Sequence, residues 1–191
     1  MALPQEKQES YTLADALTWD ERDRIELIDG EPYMFATPSR RHQDISGVIY
    51  QQLWDFLKDK PCKIYFPPFA VRLFEQKEDR PWDVDTYVEP DITVVCDPEK
   101  LDDLGCRGAP DLIVEVLSPS TRRHDRITKY GLYQRAGVRE YWIVDPETKT
   151  AESFVLEDGH LNPRDLKQDG ESMEVSVLEG CVIDLTRVFQ M

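Results

Sequence analysis

The chain lacks any long apolar run. Nowhere in its 191 residues do apolar positions continue for the ~18 residues that a membrane-spanning helix requires, so no membrane partner is expected. Residues 1–10 lack the basic start and apolar stretch of a secretory leader, and a cytoplasmic location is expected. Cysteine is scarce: Cys62, Cys96, Cys106 and Cys181 form no CxxC pair and have no histidine at ligand spacing. Neither zinc nor a disulfide framework is indicated, and four reduced, buried thiols are expected. Positive charge is in deficit as well. With 23 Lys and Arg against 38 Asp and Glu the net charge is -15, which excludes a general polyanion binder, because phosphate neutralisation dominates such affinity. The chain has no Gly-x-Ser-x-Gly elbow, no Walker-type phosphate loop and no Gly-x-Gly-x-x-Gly fingerprint, so the enzyme classes that those motifs mark are set aside.

What is present is an ordinary globular composition, 40% hydrophobic and 32% charged, of a length that fits one compact domain with a flexible start at 1–10. Thr12, with Asp15 three positions on, caps a short helix over 11–17. Residues 25–31 and 33–35 form a hairpin around Asp29-Gly30, with Glu26 inside its first strand. From Ser39 onwards Ile45, Val48, Ile49, Leu53, Phe56 and Leu57 recur at three and four, which predicts an amphipathic helix with His42 on its buried stripe. Strands are predicted over 63–66 and 69–74, broken by Pro67-Pro68 and followed by a charged loop over 75–85. Residues 92–96, 112–117 and 141–144 are too continuously apolar for strands with one wet face and belong at the centre of a sheet. A helix over 121–136, closed by Gly137, lies between the last two. Beyond Ala151, residues 153–156 and 173–178 are expected to continue the sheet as edge strands.

Two acids stand out against this background. Asp91 follows Pro90 at the mouth of a central strand, and Glu115 lies within the next, between Val114 and Val116. An ionised carboxylate inside an apolar strand is costly unless it is paired or holds a metal, so the sheet is expected to aim Glu115 into a polar cleft. Asp91 and Glu115 are oxygen donors of the kind that Mg2+ or Mn2+ takes. Lys129, 14 positions after Glu115 and two turns into the following helix, is the ammonium in reach to stabilise charge on a phosphate. Arg122, Arg123, Arg126, Lys129, Arg135 and Arg139 face a single acid, Asp125, between 121 and 139, a basic island where nucleic acid is expected to touch Arg122, Arg123 and Arg126. Ser118, Ser120 and Thr121 end a strand and start a helix, where such residues serve as caps.

The segment Gly108-Ala109-Pro110-Asp111-Leu112-Ile113-Val114-Glu115-Val116-Leu117-Ser118-Pro119-Ser120-Thr121, followed by Asp125, Lys129 and Tyr133, resembles the Uma family of restriction-endonuclease-like proteins. Ile25 to Glu31, His42, Glu89-Pro90-Asp91 and Gly137 to Pro146 match as well, so the resemblance extends over about 11–189. It implies membership of the PD-(D/E)XK nuclease superfamily and an α/β (α+β) fold, a mixed central β-sheet flanked by helices with extra β-hairpins at the N- and C-terminal ends. It further implies a Mg2+-dependent (or Mn2+-dependent) endonuclease acting on nucleic acid, DNA before RNA, and a homodimer by analogy. Asp91 takes the place of the motif's Pro-Asp carboxylate and Glu115 that of its second acid. The motif's lysine, two residues after that acid, is replaced here by Leu117, and the resemblance implies that Lys129 returns an ammonium from the adjoining helix. Glu26 matches a further acid at the cleft rim, against the alternative of an exposed hairpin glutamate. For His42, a place beside the catalytic acids stands against that of a hydrogen-bonded core histidine. Three readings follow: a metal-dependent nuclease, a metal-dependent enzyme for another phosphate ester, and a nuclease scaffold that binds a partner without cutting it.

Overall fold

The computed structural model describes residues 10–20 and 24–190. Apart from Ser10, the expectation of a flexible start at 1–10 lies outside the described residues. In chain order the elements are α1 (Leu13–Ala16), β1 (Ile25–Ile28), β2 (Glu31–Met34), α2 (Arg40–Leu57), β3 (Lys63–Tyr65), β4 (Val71–Arg72), β5 (Ile92–Val95), β6 (Leu101–Asp102), β7 (Gly105–Arg107) and β8 (Leu112–Val116). A π-helical turn, His124–Lys129, then runs into α3 (Tyr130–Ala136), followed by β9 (Glu140–Asp145), β10 (Thr150–Glu157), β11 (His160–Gln168), β12 (Ser172–Glu174), β13 (Val182–Asp184) and α4 (Leu185–Phe189). Thr12 caps α1 by donating its backbone N–H and its hydroxyl to Asp15 Oδ2, both at 2.9 Å. Ser39 Oγ accepts from the His42 amide at the start of α2. The β1–β2 turn places Asp29 and Gly30 at φ 51° and 76°. Glycine is needed at the second position, where a Cβ would come within 2.0 Å of Ser10 Oγ.

Six strands form the main sheet in the order β11-β10-β9-β8-β5-β3. β8 and β9 run parallel, joined through the π turn and α3, while the other neighbours are antiparallel. This is a mixed sheet flanked by helices. β5, β8 and β9 are buried at every position, because both faces of the sheet are covered. Alternation along β8 sends Leu112, Val114 and Val116 into the core shared with Ile45, Ile49, Leu53 and Leu57 of α2. Ile113 joins the opposite core with Leu132 and Tyr133 of α3. Among the described residues no helix is long and apolar enough to cross a membrane.

Three expectations are corrected. Of 69–74 only β4 is a strand, and it pairs in a separate three-stranded sheet, β4-β7-β6. Arg72 is buried there with Glu75 and Asp102 as partners. In the tail, 153–156 lies in β10, but of 173–178 only the first residues pair, in a separate β12-β13 ribbon. The outer strand of the main sheet is instead β11, whose exposed, charged sequence carries no apolar alternation. Pro163 is tolerated there opposite Phe154, where the register shifts. The four thiols become two: Cys62 and Cys96 are joined in a disulfide, while Cys106 and Cys181 remain free and buried. The β3–β5 register pairs Lys63 with Val95, which brings the two flanking cysteines opposite each other.

Ile49 is fully buried between α2 and the sheet. Truncation by Ile49→Ala is expected to cost about 2–5 kcal/mol, read from urea unfolding, and a cost below about 1 kcal/mol would contradict this packing.

Candidate functional site

The same alternation that sends Val114 and Val116 towards α2 turns Glu115 to the α3 side. There Lys129 Nζ donates to Glu115 Oε1 at 2.8 Å and to Glu26 Oε1 at 2.8 Å. One turn further along, the Tyr133 hydroxyl donates to Glu115 Oε1 at 2.7 Å. The antiparallel register Ile92↔Val114, carried one residue further, sets Asp91 opposite Glu115. Asp91 Oδ2 accepts the Val116 amide at 2.8 Å and lies 3.0 Å from His42 Nε2, which α2 brings across the strand end. These contacts fall on one oxygen of each acid, Oδ2 of Asp91 and Oε1 of Glu115. Glu26, on β1, also accepts the Glu89 amide at 2.8 Å, while its Oε2 is buried without a hydrogen-bond partner among the described residues.

Asp91, Glu115, Lys129, Glu26 and His42, five residues from five separate stretches of sequence, line one cleft of about 240 Å³. Asp125 joins them. The π turn gives the helix a wider first stretch, and both Asp125 and Lys129 of that turn are buried and line the cleft. Glu26 is 4% exposed, which removes the exposed hairpin glutamate. His42 is buried, with its Nε2 on the site acid Asp91 and its Nδ1 without a hydrogen-bond partner among the described residues. Asp125 and Tyr133 were visible only as matching positions; what marks them is helical spacing from Lys129, on the face turned to Glu115.

The charges here do not balance locally. Burial pushes Glu115 up to about 8 against the pull of Lys129, with Asp125, Asp91 and Glu26 adding to the rise. Asp125 is pushed up to about 6, again chiefly by burial. Burial acts on Lys129 in the opposite sense, but Glu115, Glu26 and Asp125 outweigh it and hold the ammonium well above its ordinary value. Lys129 and the half-buried Arg24 therefore share a cleft with five carboxylates, Glu26, Glu89, Asp91, Glu115 and Asp125, a donor set that retains protons unless a further cation joins it. Among the described residues no group of three or more His, Cys, Asp or Glu side chains is arranged to hold a metal ion. Asp91 and Glu115 nonetheless fit a hard divalent ion, which commonly takes one or two carboxylates and fills its other positions with water and phosphate.

The basic island of the sequence is largely neutralised in space. Arg122 holds Asp145 through both amino groups, at 2.5 and 3.0 Å, and reaches Glu147 at 2.9 Å. Arg126 holds Glu152 at 2.5 Å, Arg135 holds Asp29 and Arg139 holds Asp111. Arg123 is exposed and makes no salt bridge among the described residues. These acids come from other elements, which is why they were not apparent in the local sequence.

The profile of a family described as "Uma2: Putative restriction endonuclease" matches residues 12–186. The uncharacterised protein slr1290 of Synechocystis is 32% identical over 119 residues, 61% of this chain, and the match spans only 58% of that relative's length. A second uncharacterised Synechocystis protein, sll1609, is 26% identical over 139 residues, 70% of this chain and 74% of its own. The crystal structure of "a putative nuclease belonging to DUF820" from Anabaena variabilis superposes with a TM-score of 0.70 over 94% of this chain and 97% of that one, at 17% identity. At that identity the likeness is one of fold.

The raised Glu115 predicts a pH dependence of stability. Between its ordinary value of 4.5 and about 8 the folded protein keeps a proton that the unfolded chain has released, so this group's contribution falls as pH rises through that window and levels off above it. Glu115→Gln removes the titration. Its melting temperature relative to wild type is expected to be higher at pH 8.5 than at pH 5, and a difference that does not change with pH would contradict the burial of an acid here.

Proposed function

Because the chain belongs to the Uma2 family, we propose that it is a metal-dependent nuclease that hydrolyses phosphodiester bonds of nucleic acid at the Asp91, Glu115 and Lys129 cleft. The observation that carries the reading is the surplus of carboxylates around one buried ammonium at the start of β5 and the end of β8. Asp91 and Glu115 would hold Mg2+ or Mn2+, and such an ion when bound supplies an acidified water and neutralises phosphate charge. The chain's own groups do the rest. His42 and the Val116 amide fix Asp91, and Tyr133 and Lys129 fix Glu115. Lys129, locked between Glu115 and Glu26, keeps its proton and supplies a preorganised positive charge for the phosphate oxygens in the transition state. Glu26 positions that ammonium, and its unpartnered Oε2 can reach the ligand set through water. Of the three arginines expected to touch nucleic acid, Arg122 and Arg126 already hold acids, so Arg123 is the one left to meet the phosphate backbone.

The net charge of -15 favours a second reading, a scaffold that captures a basic partner and cuts nothing. Incubation of single- and double-stranded DNA and RNA with the protein and Mn2+ or Mg2+ separates the two. Cleavage is expected in wild type, and Asp91→Ala and Lys129→Met are each expected to slow it by about a hundredfold or more. Cleavage that persists in both variants would remove these residues from the chemistry, and no cleavage of any substrate would leave the silent scaffold.

A further inference from the structure

Beside the acid cleft lies a larger one, of about 510 Å³, which shares Arg24, Pro38, His42, Glu89 and Asp91 with it. One wall is a face of α2 bearing Gln43, Ser46, Gly47 and Tyr50; the other is the turn at Phe66, Pro67 and Pro68. Phe66 is 60% exposed and meets the Tyr50 ring edge-on, with centroids 5.1 Å apart. Tyr50 in turn stacks on Trp54, which is 49% exposed. Large aromatic rings left open to solvent next to a polar site are a platform for another flat ring.

Gly47 is the second observation. A glycine in the interior of an 18-residue helix weakens that helix relative to alanine, and packing is its usual reason. None applies here, since a Cβ at Gly47 would meet nothing within 4 Å. Gly47 is exposed on the cleft wall, and the space beside it is open to a ligand.

We propose that this cleft receives an unpaired nucleobase of the strand being cut, so that the substrate is single-stranded nucleic acid and not continuous duplex; the proposal rests on the nuclease reading above. The volume suits one nucleotide, within the range of roughly 300–1,000 Å³ typical of small-ligand sites. Tyr50 and Phe66 offer ring faces and edges, while Gln43 offers an amide to a base edge and Ser46, whose proton goes to the His42 carbonyl at 2.9 Å, offers an acceptor oxygen. The charge balance points the same way. A chain of net charge -15, with Arg122 and Arg126 of its basic island already held by acids, is poorly placed to neutralise the dense phosphates of a duplex. A single strand can be held largely by base stacking, which tolerates any sequence because every base has a π-face. The base in the cleft then lies directly beside the acids that the cut requires.

The test measures fluorescence anisotropy of a short labelled oligothymidine, its RNA counterpart and a duplex of the same length, with Ca2+ present, on the full chain and on Phe66→Ala and Gly47→Leu. Phe66 is exposed and Gly47 has room, so both variants are expected to fold, with Gly47→Leu melting no lower than wild type. The oligothymidine is expected to bind at least roughly tenfold more tightly than the duplex, and each substitution to remove that preference by losing one stacking contact or filling the space. The RNA arm reads whether the sugar matters. Equal affinity for duplex and single strand, no binding of either, or a preference that survives both substitutions overturns the proposal. Cleavage with Mn2+ is scored separately: strand binding through this cleft with no cleavage would retain the base site and lose the nuclease reading. Duplex cleavage abolished by Asp91→Ala but indifferent to Phe66→Ala and Gly47→Leu would do the reverse.

Discussion

Everything at the centre of this protein depends on one ammonium held among more carboxylates than it can neutralise. Lys129 contacts Glu115 and Glu26 at 2.8 Å, while Asp91 and Asp125 line the same cleft. A buried pair of opposite charges roughly offsets its own desolvation, whereas each further unpaired buried charge costs several times more than a surface one. The excess is met by protons on Glu115 and Asp125, or by a cation from solution. Such an arrangement is unfavourable for folding.

The fold supplies the rigidity that this arrangement needs. β5 and β8 are buried on both faces, so their register is fixed, and that register sets Asp91 across from Glu115. The parallel β8–β9 pair requires a crossover, and the crossover brings Asp125, Lys129 and Tyr133 over the acid. α2, packed on the other face through Ile45, Ile49 and Leu53, delivers His42 to the strand end. The β1–β2 hairpin is tied in by paired backbone hydrogen bonds between Leu27 and Tyr87, next to Glu26. A one-residue slip of β8 would turn Glu115 into the α2 core and dismantle the site.

Much of this was legible in the sequence because it depends on period and on the cost of burying charge. The runs at 92–96, 112–117 and 141–144 had no water-facing side, and a lone acid within the second of them had to meet a partner. Glu26, His42, Asp91, Glu115 and Lys129 line one cleft. What escaped notice was long-range. The Cys62–Cys96 bond follows from the pairing of β3 with β5, which no cysteine spacing encodes. β11 is held by its hydrogen bonds to β10 and carries no hydrophobic pattern. Arg122 and Arg126 looked free in a local window because Asp145, Glu147 and Glu152 reach them from β9, its following turn and β10.

The central claim is that the surplus carboxylates are a divalent-cation site. Calorimetric titration of Mn2+ into wild type, Asp91→Ala and Glu115→Ala tests it without any assumption about substrate. Saturable binding to wild type that is lost in both variants is the predicted result. Wild type that binds no Mn2+ with or without nucleic acid, or binding that survives both substitutions, would contradict it.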